Sequence, residues 1–222
     1  MVPVVTIDGP SGSGKGTIAG MLAQQLKWHC LDSGALYRLV AFAADHAGIS
    51  VDHVSELEHL VRTMDVEFRS TGIWLNCEEV TTAIRTEQVG NAASKVAAIP
   101  EVRAALLEWQ REYARIPGLV ADGRDMGSVV FPDAGVKIFL TASADERAKR
   151  RYNQLKEKGL DANLPDLITE IEERDERDSN RSVAPLKAPV GALEIESTAL
   201  SIDEVLELVL GRVRDAFPEL AI

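Results

Sequence analysis

Short apolar runs alternate with longer amphipathic stretches along most of this chain. Residues 2–8 are almost unbroken apolar sequence, the pattern of a strand buried on both faces. Residues 14–26 repeat apolar positions at helical spacing, with Ile18, Met21, Leu22 and Leu26 on one side. A short strand, His29-Cys30-Leu31, ends at Asp32-Ser33-Gly34, and the pattern predicts helices over 34–47 and 54–64. From Asp65 to Val80 the texture changes. Val66-Glu67-Phe68-Arg69 and Ile73-Trp74-Leu75-Asn76 alternate around the turn signal Ser70-Thr71-Gly72, as in an antiparallel hairpin. Helices are expected over 84–97 and 100–115. In the second, Val102, Leu106, Trp109 and Tyr113 keep the helical period, and Pro100 suits the first turn. Leu119-Val120-Ala121 and residues 136–140 read as buried strands. Ser143 and Ser201 each stand three residues before a glutamate, the spacing of a capping box, and open helices reaching about residue 158 and about residue 217. Gly159 closes the first of these. A helix covers 164–181, and residues 193–196 form the last strand.

Five short strands alternating with helices imply an α/β fold: a five-stranded parallel sheet flanked by helices on both faces. A hairpin inside such a chain marks an inserted subdomain. A length of 222 residues allows one domain with an insertion, or two small ones. Ligands on parallel sheets bind at the carboxyl ends of the strands, so the segments that follow the strands are where chemistry is expected.

The first such segment is Gly9-Pro10-Ser11-Gly12-Ser13-Gly14-Lys15-Gly16-Thr17. A glycine-rich loop between a strand and a helix can turn its backbone N–H groups around a phosphate chain, with the helix dipole behind them. Lys15 adds a point charge that reaches the outer phosphates. Position 16 is glycine, so the hydroxyl of the usual loop pattern comes one residue later, at Thr17. The second segment is Asp32-Ser33-Gly34-Ala35-Leu36-Tyr37-Arg38, and the third is Asp122-Gly123-Arg124-Asp125-Met126-Gly127. Each also has a plainer reading, as a helix cap in one case and an Asp-Gly turn in the other. A carboxylate that closes a buried strand beside a phosphate loop acts on Mg²⁺ directly or through water, which makes Asp122 a metal candidate. Arg147, Arg150 and Arg151 share one helix face, and Arg174, Asp178 and Arg181 share another. Solvated, salt-bridged helices would account for the alternating charges. Two arginine-rich helices bracketing Lys158-Gly159-Leu160 also suit a lid that brings cations onto phosphates and excludes water.

Composition narrows the partners. Net charge is −11, so no nucleic acid partner is expected. Arginine nonetheless outnumbers lysine sixteen to eight, and arginine grips phosphate bidentately. That combination points to a local anion site. No apolar run approaches membrane-spanning length, and the chain enters its first strand with no secretory pattern, so a cytoplasmic protein without a membrane partner is expected. Cys30 and Cys77 lack metal-ligand spacing and read as reduced thiols.

The loop form G-x-x-G-x-G-K-G-T resembles that of P-loop nucleoside monophosphate kinases. Together with the two strand-end motifs and Arg174-Asp175-Glu176-Arg177-Asp178-Ser179-Asn180-Arg181, it resembles the bacterial cytidylate kinases over nearly the whole chain. That resemblance implies a single kinase domain over 1–222, with a monophosphate-binding insertion at about 49–97 and a short helical lid at about 150–172. It implies transfer of the γ-phosphoryl group of ATP to CMP or dCMP, with Mg²⁺ as cofactor, by a monomer. ATP would be held by Gly9 through Thr17 and by Arg150 and Arg151. Ser33, Ser94, Arg103 and Asp125 would surround the cytosine, and Arg38, Arg124, Arg174 and Arg181 the acceptor phosphate. Asp178 would take the ribose hydroxyls. Lys15, Arg124, Arg174 and Arg181 are the catalytic candidates, and Thr17 and Asp122 the metal candidates. A kinase for UMP or AMP, and a nucleotide-binding module without turnover, are the alternatives.

Overall fold

A computed structural model of the chain describes residues 2–69, 72–157, 159 and 161–219. In chain order the elements are β1 (Val4–Asp8), α1 (Lys15–Leu26), β2 (His29–Asp32), α2 (Ser33–His46), α3 (Val54–Thr63), β3 (Val66–Arg69), β4 (Gly72–Leu75), β5 (Glu78–Glu79), α4 (Glu87–Val96), α5 (Pro100–Glu112), β6 (Leu119–Gly123), β7 (Val136–Thr141), α6 (Ala144–Glu157), α7 (Leu164–Ser179), β8 (Leu193–Glu196) and α8 (Ile202–Ala216). They fall into two compact units, Met1–Asp32 with Arg111–Ile222, and Ser33–Gln110.

The first unit is an α/β layer structure. Its sheet has the order β2-β6-β1-β7-β8, and every pairing is parallel. β1 and β6 are buried at every position, as the apolar runs required, whereas the edge strand β2 leaves His29 and Cys30 exposed. Ile18, Leu22 and Ala23 of α1 and Val205, Val209 and Val213 of α8 pack with Val5, Ile7, Val120 and Ile138 of the sheet in one core. Burial of such side chains contributes roughly 1.5–3 kcal/mol each. A smaller cluster joins α6 to α7 through Ala148, Leu155, Leu167 and Ile171. The sequence spacing at Ser201 yields a complete capping box with Glu204. At Ser143 only half forms: the hydroxyl accepts from Glu146 N, while Ser143 N donates to Thr198 and the Glu146 carboxylate accepts from Arg150. Lys158 and Leu160 of the expected link lie outside the described residues.

The second unit carries the inserted sheet, which is three-stranded with the order β3-β4-β5 and antiparallel pairing. β5 adds a strand beyond the expected hairpin. Ser70 and Thr71 of the hairpin turn lie outside the described residues. Leu36, Leu39, Leu57, Ile84 and Leu106 are its largest fully buried side chains, and the Phe68 and Trp109 rings meet at 5.9 Å. The helix expected over 84–97 begins later. Ala83–Arg85 is a 3₁₀ turn, and Thr86 caps α4 by accepting from Val89 N. A threonine hydroxyl competes with the helix for backbone partners, so it starts a helix more readily than it continues one. Among the described residues no helix is long and apolar enough to cross a membrane.

Candidate active site

The carboxyl ends of three neighbouring strands, β2, β6 and β1, each carry an aspartate. Asp122 is the cross-strand partner of Asp32 on β2 and of Ile7 on β1, one residue before Asp8. The glycine-rich loop leaves β1 at this point. Gly9 passes so close to β7 that a Cβ there would lie 2.0 Å from the Leu140 carbonyl oxygen. Gly14 caps α1 with φ of 92°, a left-handed conformation that side chains disfavour.

Basic side chains hold the loop's carbonyls. Pro10 O accepts from Lys15 Nζ at 3.1 Å, Ser11 O from Arg147 at 3.0 Å, and Ser13 O from Arg150 at 3.3 Å. In a trans peptide the N–H points opposite to the C=O. The amides of Ser11, Gly12 and Gly14 therefore point away from the side chains that hold these carbonyls. Among the described residues the buried Ser13 hydroxyl has no hydrogen-bond partner, an acceptor and donor left over within the same loop.

Lys15 is buried among like charges. Burial first, then the guanidinium groups of Arg124 and Arg174, push its ammonium down to about 7, against the pull of Asp122 and Asp32. A polyanion placed there would relieve that repulsion. Asp122 is buried, with a carboxylate oxygen 3.9 Å from where a Gly16 side chain would begin, and Thr17 is exposed in the first turn of α1. One carboxylate and one hydroxyl are hard oxygen donors. They suit a Mg²⁺ ion that keeps waters and takes its remaining ligands from phosphates. Among the described residues no cluster of three or more His, Cys, Asp or Glu could hold a metal alone.

The arginines of α6 and α7 converge on the same loop. Arg147 is buried and donates to Ala142 O at 2.9 Å, to Ser11 O, and through two nitrogens to Asp175 on α7. Arg150 reaches Ser197 O at 2.7 Å as well as the loop, while Arg151 turns to Gln154. Arg174 donates to the Ser11 hydroxyl at 3.2 Å. Asp178 is buried and accepts from Arg124 at 2.9 Å and from Arg181. Burial would raise its carboxyl, but Arg124, Arg181 and Arg174 together hold it below the usual carboxylate range.

Asp8 closes β1 fully buried. Its two oxygens accept from Met126 N and Gly127 N, each at 2.8 Å. Burial pushes its carboxyl up to about 6, partly opposed by those two hydrogen bonds. Asp125 begins the π-helical turn Met126–Val130, with Val129 N donating to its carbonyl at 2.9 Å.

The second unit holds the remaining candidates. Ser33 and Ser94 are buried on α2 and α4. Arg38 donates to Ile84 O at 2.8 Å and Thr86 O at 3.0 Å, packed so closely on Gly90 that a Cβ there would lie 2.7 Å from its guanidinium. Arg103 is buried, donates to Ala97 O at 3.1 Å, and stands 5.7 Å from the Tyr37 ring.

The sequence reading gave no role of their own to Asp8, Asp175 and Ser197, and it grouped Arg147 with the lid arginines without assigning it a ligand. Asp8 and Ser197 lie where two of the signals already used, a carboxylate closing a strand and a polar residue following one, would have found them. The Arg147–Asp175 pair is invisible without the packing of α6 on α7.

The family described as Cytidylate kinase matches residues 5–215. A cytidylate kinase of Aeromonas salmonicida is 58% identical over 214 residues, covering 95% of this chain and 93% of that protein. A cytidylate kinase of Stutzerimonas stutzeri is 58% identical over 220 residues, covering 96% of each. Among solved structures, a gluconokinase from Sinorhizobium meliloti shares the fold with a TM-score of 0.51 at 16% identity, over 97% of this chain and 94% of that one.

Proposed function

The chain belongs to the cytidylate kinase family, and from that premise we propose that it transfers the γ-phosphoryl group of ATP to CMP or dCMP, giving ADP and CDP or dCDP. The observation that carries this reading is the gathering of basic side chains on the glycine-rich loop, where Lys15, Arg147, Arg150 and Arg174 each donate to a loop oxygen, a setting suited to a polyanion. The acceptor phosphate oxygen is already an anion at neutral pH, so no strong general base is required. Catalysis is positioning and charge neutralisation.

In this reading residues 9–17, with Arg150 and Arg151, bind ATP. Arg38, Arg124, Arg174 and Arg181 bind the acceptor phosphate, and Asp178 its ribose. Lys15, Arg124, Arg174 and Arg181 neutralise charge during transfer. Thr17 and Asp122 would hold Mg²⁺, directly or through water, and the ion would supply charge neutralisation to the transferring phosphates. The acceptor-binding insertion occupies about 49–97 and the lid about 150–172.

Base choice follows from hydrogen-bond polarity. Cytosine presents an amino donor and a ring acceptor, and uracil reverses both. In this proposal Asp125 accepts from the amino group, Arg103 donates to the ring nitrogen, and Ser33 and Ser94 are also assigned to the cytosine. Uracil would set a carbonyl against a carboxylate and leave buried groups mismatched. A coupled ADP-release assay of ATP against CMP, dCMP, UMP and AMP tests the proposal. Turnover is expected with CMP and dCMP. A preference for UMP or AMP, or no turnover at all, would overturn it.

A further inference from the structure

We propose that Asp8 is a positioning residue for base selection: it holds the turn that carries Asp125 by accepting from the backbone N–H groups of Met126 and Gly127. This rests on the reading above, in which Asp125 faces the cytosine amino group.

The geometry leaves Asp8 little else to do. It is fully buried, and each carboxylate oxygen is committed to one N–H at 2.8 Å. Two adjacent N–H groups aimed at one side chain need two acceptors. A carboxylate supplies both, whereas an asparagine supplies one acceptor and a competing donor. A buried carboxylate is otherwise a costly way to end a strand. The turn it grips is fixed from other sides too. Phe131 N donates to Met126 O at 2.7 Å. A side chain at Gly127 would begin 2.7 Å from the Thr6 hydroxyl and 3.0 Å from Pro189. Met126 directly follows Asp125, so a shift of the Met126 amide moves the Asp125 backbone with it. Asp125 thereby inherits its place from the end of β1, a strand buried at every position. A hydrogen bond that orients a carboxylate discriminates only while the carboxylate stays put, and a displacement near 1 Å is enough to lose it.

A double-mutant cycle on the kcat/KM ratio for CMP over UMP tests this. Asp8→Asn should lower the ratio about fivefold, the equivalent of one lost hydrogen bond. Asp125→Ala should lower it further, and Asp8→Asn added to Asp125→Ala should then leave the ratio nearly unchanged, because the two act through one contact. A purely structural role for Asp8 would reduce the folded fraction and scale both acceptors alike. The proposal is overturned if Asp125→Ala lowers the ratio and Asp8→Asn does not, or if the two effects simply multiply. An unchanged ratio in Asp125→Ala is a different pattern: it removes the base reading itself, and the proposal with it. Should Asp8→Asn fail to fold, Gly127→Ala displaces the same turn from the Thr6 side, and the same cycle decides.

Discussion

Arg124 Nε donates to Asp178 Oδ2 at 2.9 Å, joining the end of β6 to the last turn of α7 across 54 residues of chain. Arg181 shares the same carboxylate. Asp178 is therefore the counter-charge that allows two arginines to sit nearly buried before any phosphate arrives. Without it, the cations that suit an anion site would repel one another in the empty protein.

Replacing Asp178 by alanine should consequently destabilise the ligand-free protein by about 3–5 kcal/mol, the range for breaking a buried ion pair by removing one partner. Urea denaturation measures it. A loss below about 1 kcal/mol would show that the carboxylate does not organise these arginines.

Lys15→Met should separate activity from stability. The ammonium is buried beside Arg124 and Arg174 and held well below its ordinary range. Methionine fills much the same volume without the charge. The expected outcome is a kcat lowered on the order of a hundredfold or more, from loss of charge neutralisation, with a Tm no lower than that of the parent. A fall in Tm alongside intact kcat would contradict both halves of the argument.

Arg147→Lys should behave nearly as badly as Arg147→Ala. The guanidinium serves Ala142 O, Ser11 O and both oxygens of Asp175 at once. A lysine ammonium cannot span that set, because it lacks the planar fork. Both variants should raise KM for ATP more than KM for CMP, since the loop carbonyl is what loses its donor. Initial-rate kinetics with each substrate varied in turn measure this, and full function in Arg147→Lys would show that charge alone suffices.

How far the sequence could be read depended on the range of the interactions. Strand and helix periodicity is local, so β1, α1, β6 and β7 were legible from apolar spacing alone. Thr86 shows the limit of that reading. Its side chain ends the 3₁₀ turn and starts α4, a choice made by hydrogen bonding that apolar periodicity does not register. β5, at two residues, is too short to carry a pattern and exists because Trp74 and Leu75 offer it an edge. In the site, the loop and the arginine sets were visible as motifs. Their connections were not. That Arg147 answers to Asp175, and Asp8 to Met126 and Gly127, follows from strand register and helix packing between segments 28 and 118 or more residues apart.

Asp8 and Asp178 should move stability with pH in opposite directions. The carboxyl of Asp8 is raised from 3.8 to about 6, chiefly by burial, with the Asp125 charge adding and Lys15 and the two N–H bonds opposing. Its folded form prefers the proton. Its contribution to stability is therefore complete below pH 3.8 and lost as pH rises through about 6. Relative to Asp8→Asn, which does not titrate, the parent should lose about 2–3 kcal/mol between roughly pH 4 and pH 7. Asp178 is the reverse case. Its carboxyl is lowered by Arg124, Arg181 and Arg174 against the effect of burial, so its contribution is present above 3.8 and lost as pH falls through the folded value. Relative to Asp178→Asn, the parent should show a flat difference between about pH 4.5 and pH 7, and a loss confined to the acid side. Urea denaturation of the three ligand-free proteins across this range tests both at once. If the Asp8 difference is also flat, the buried carboxylate is ionised at no cost, and its two N–H bonds outweigh its burial.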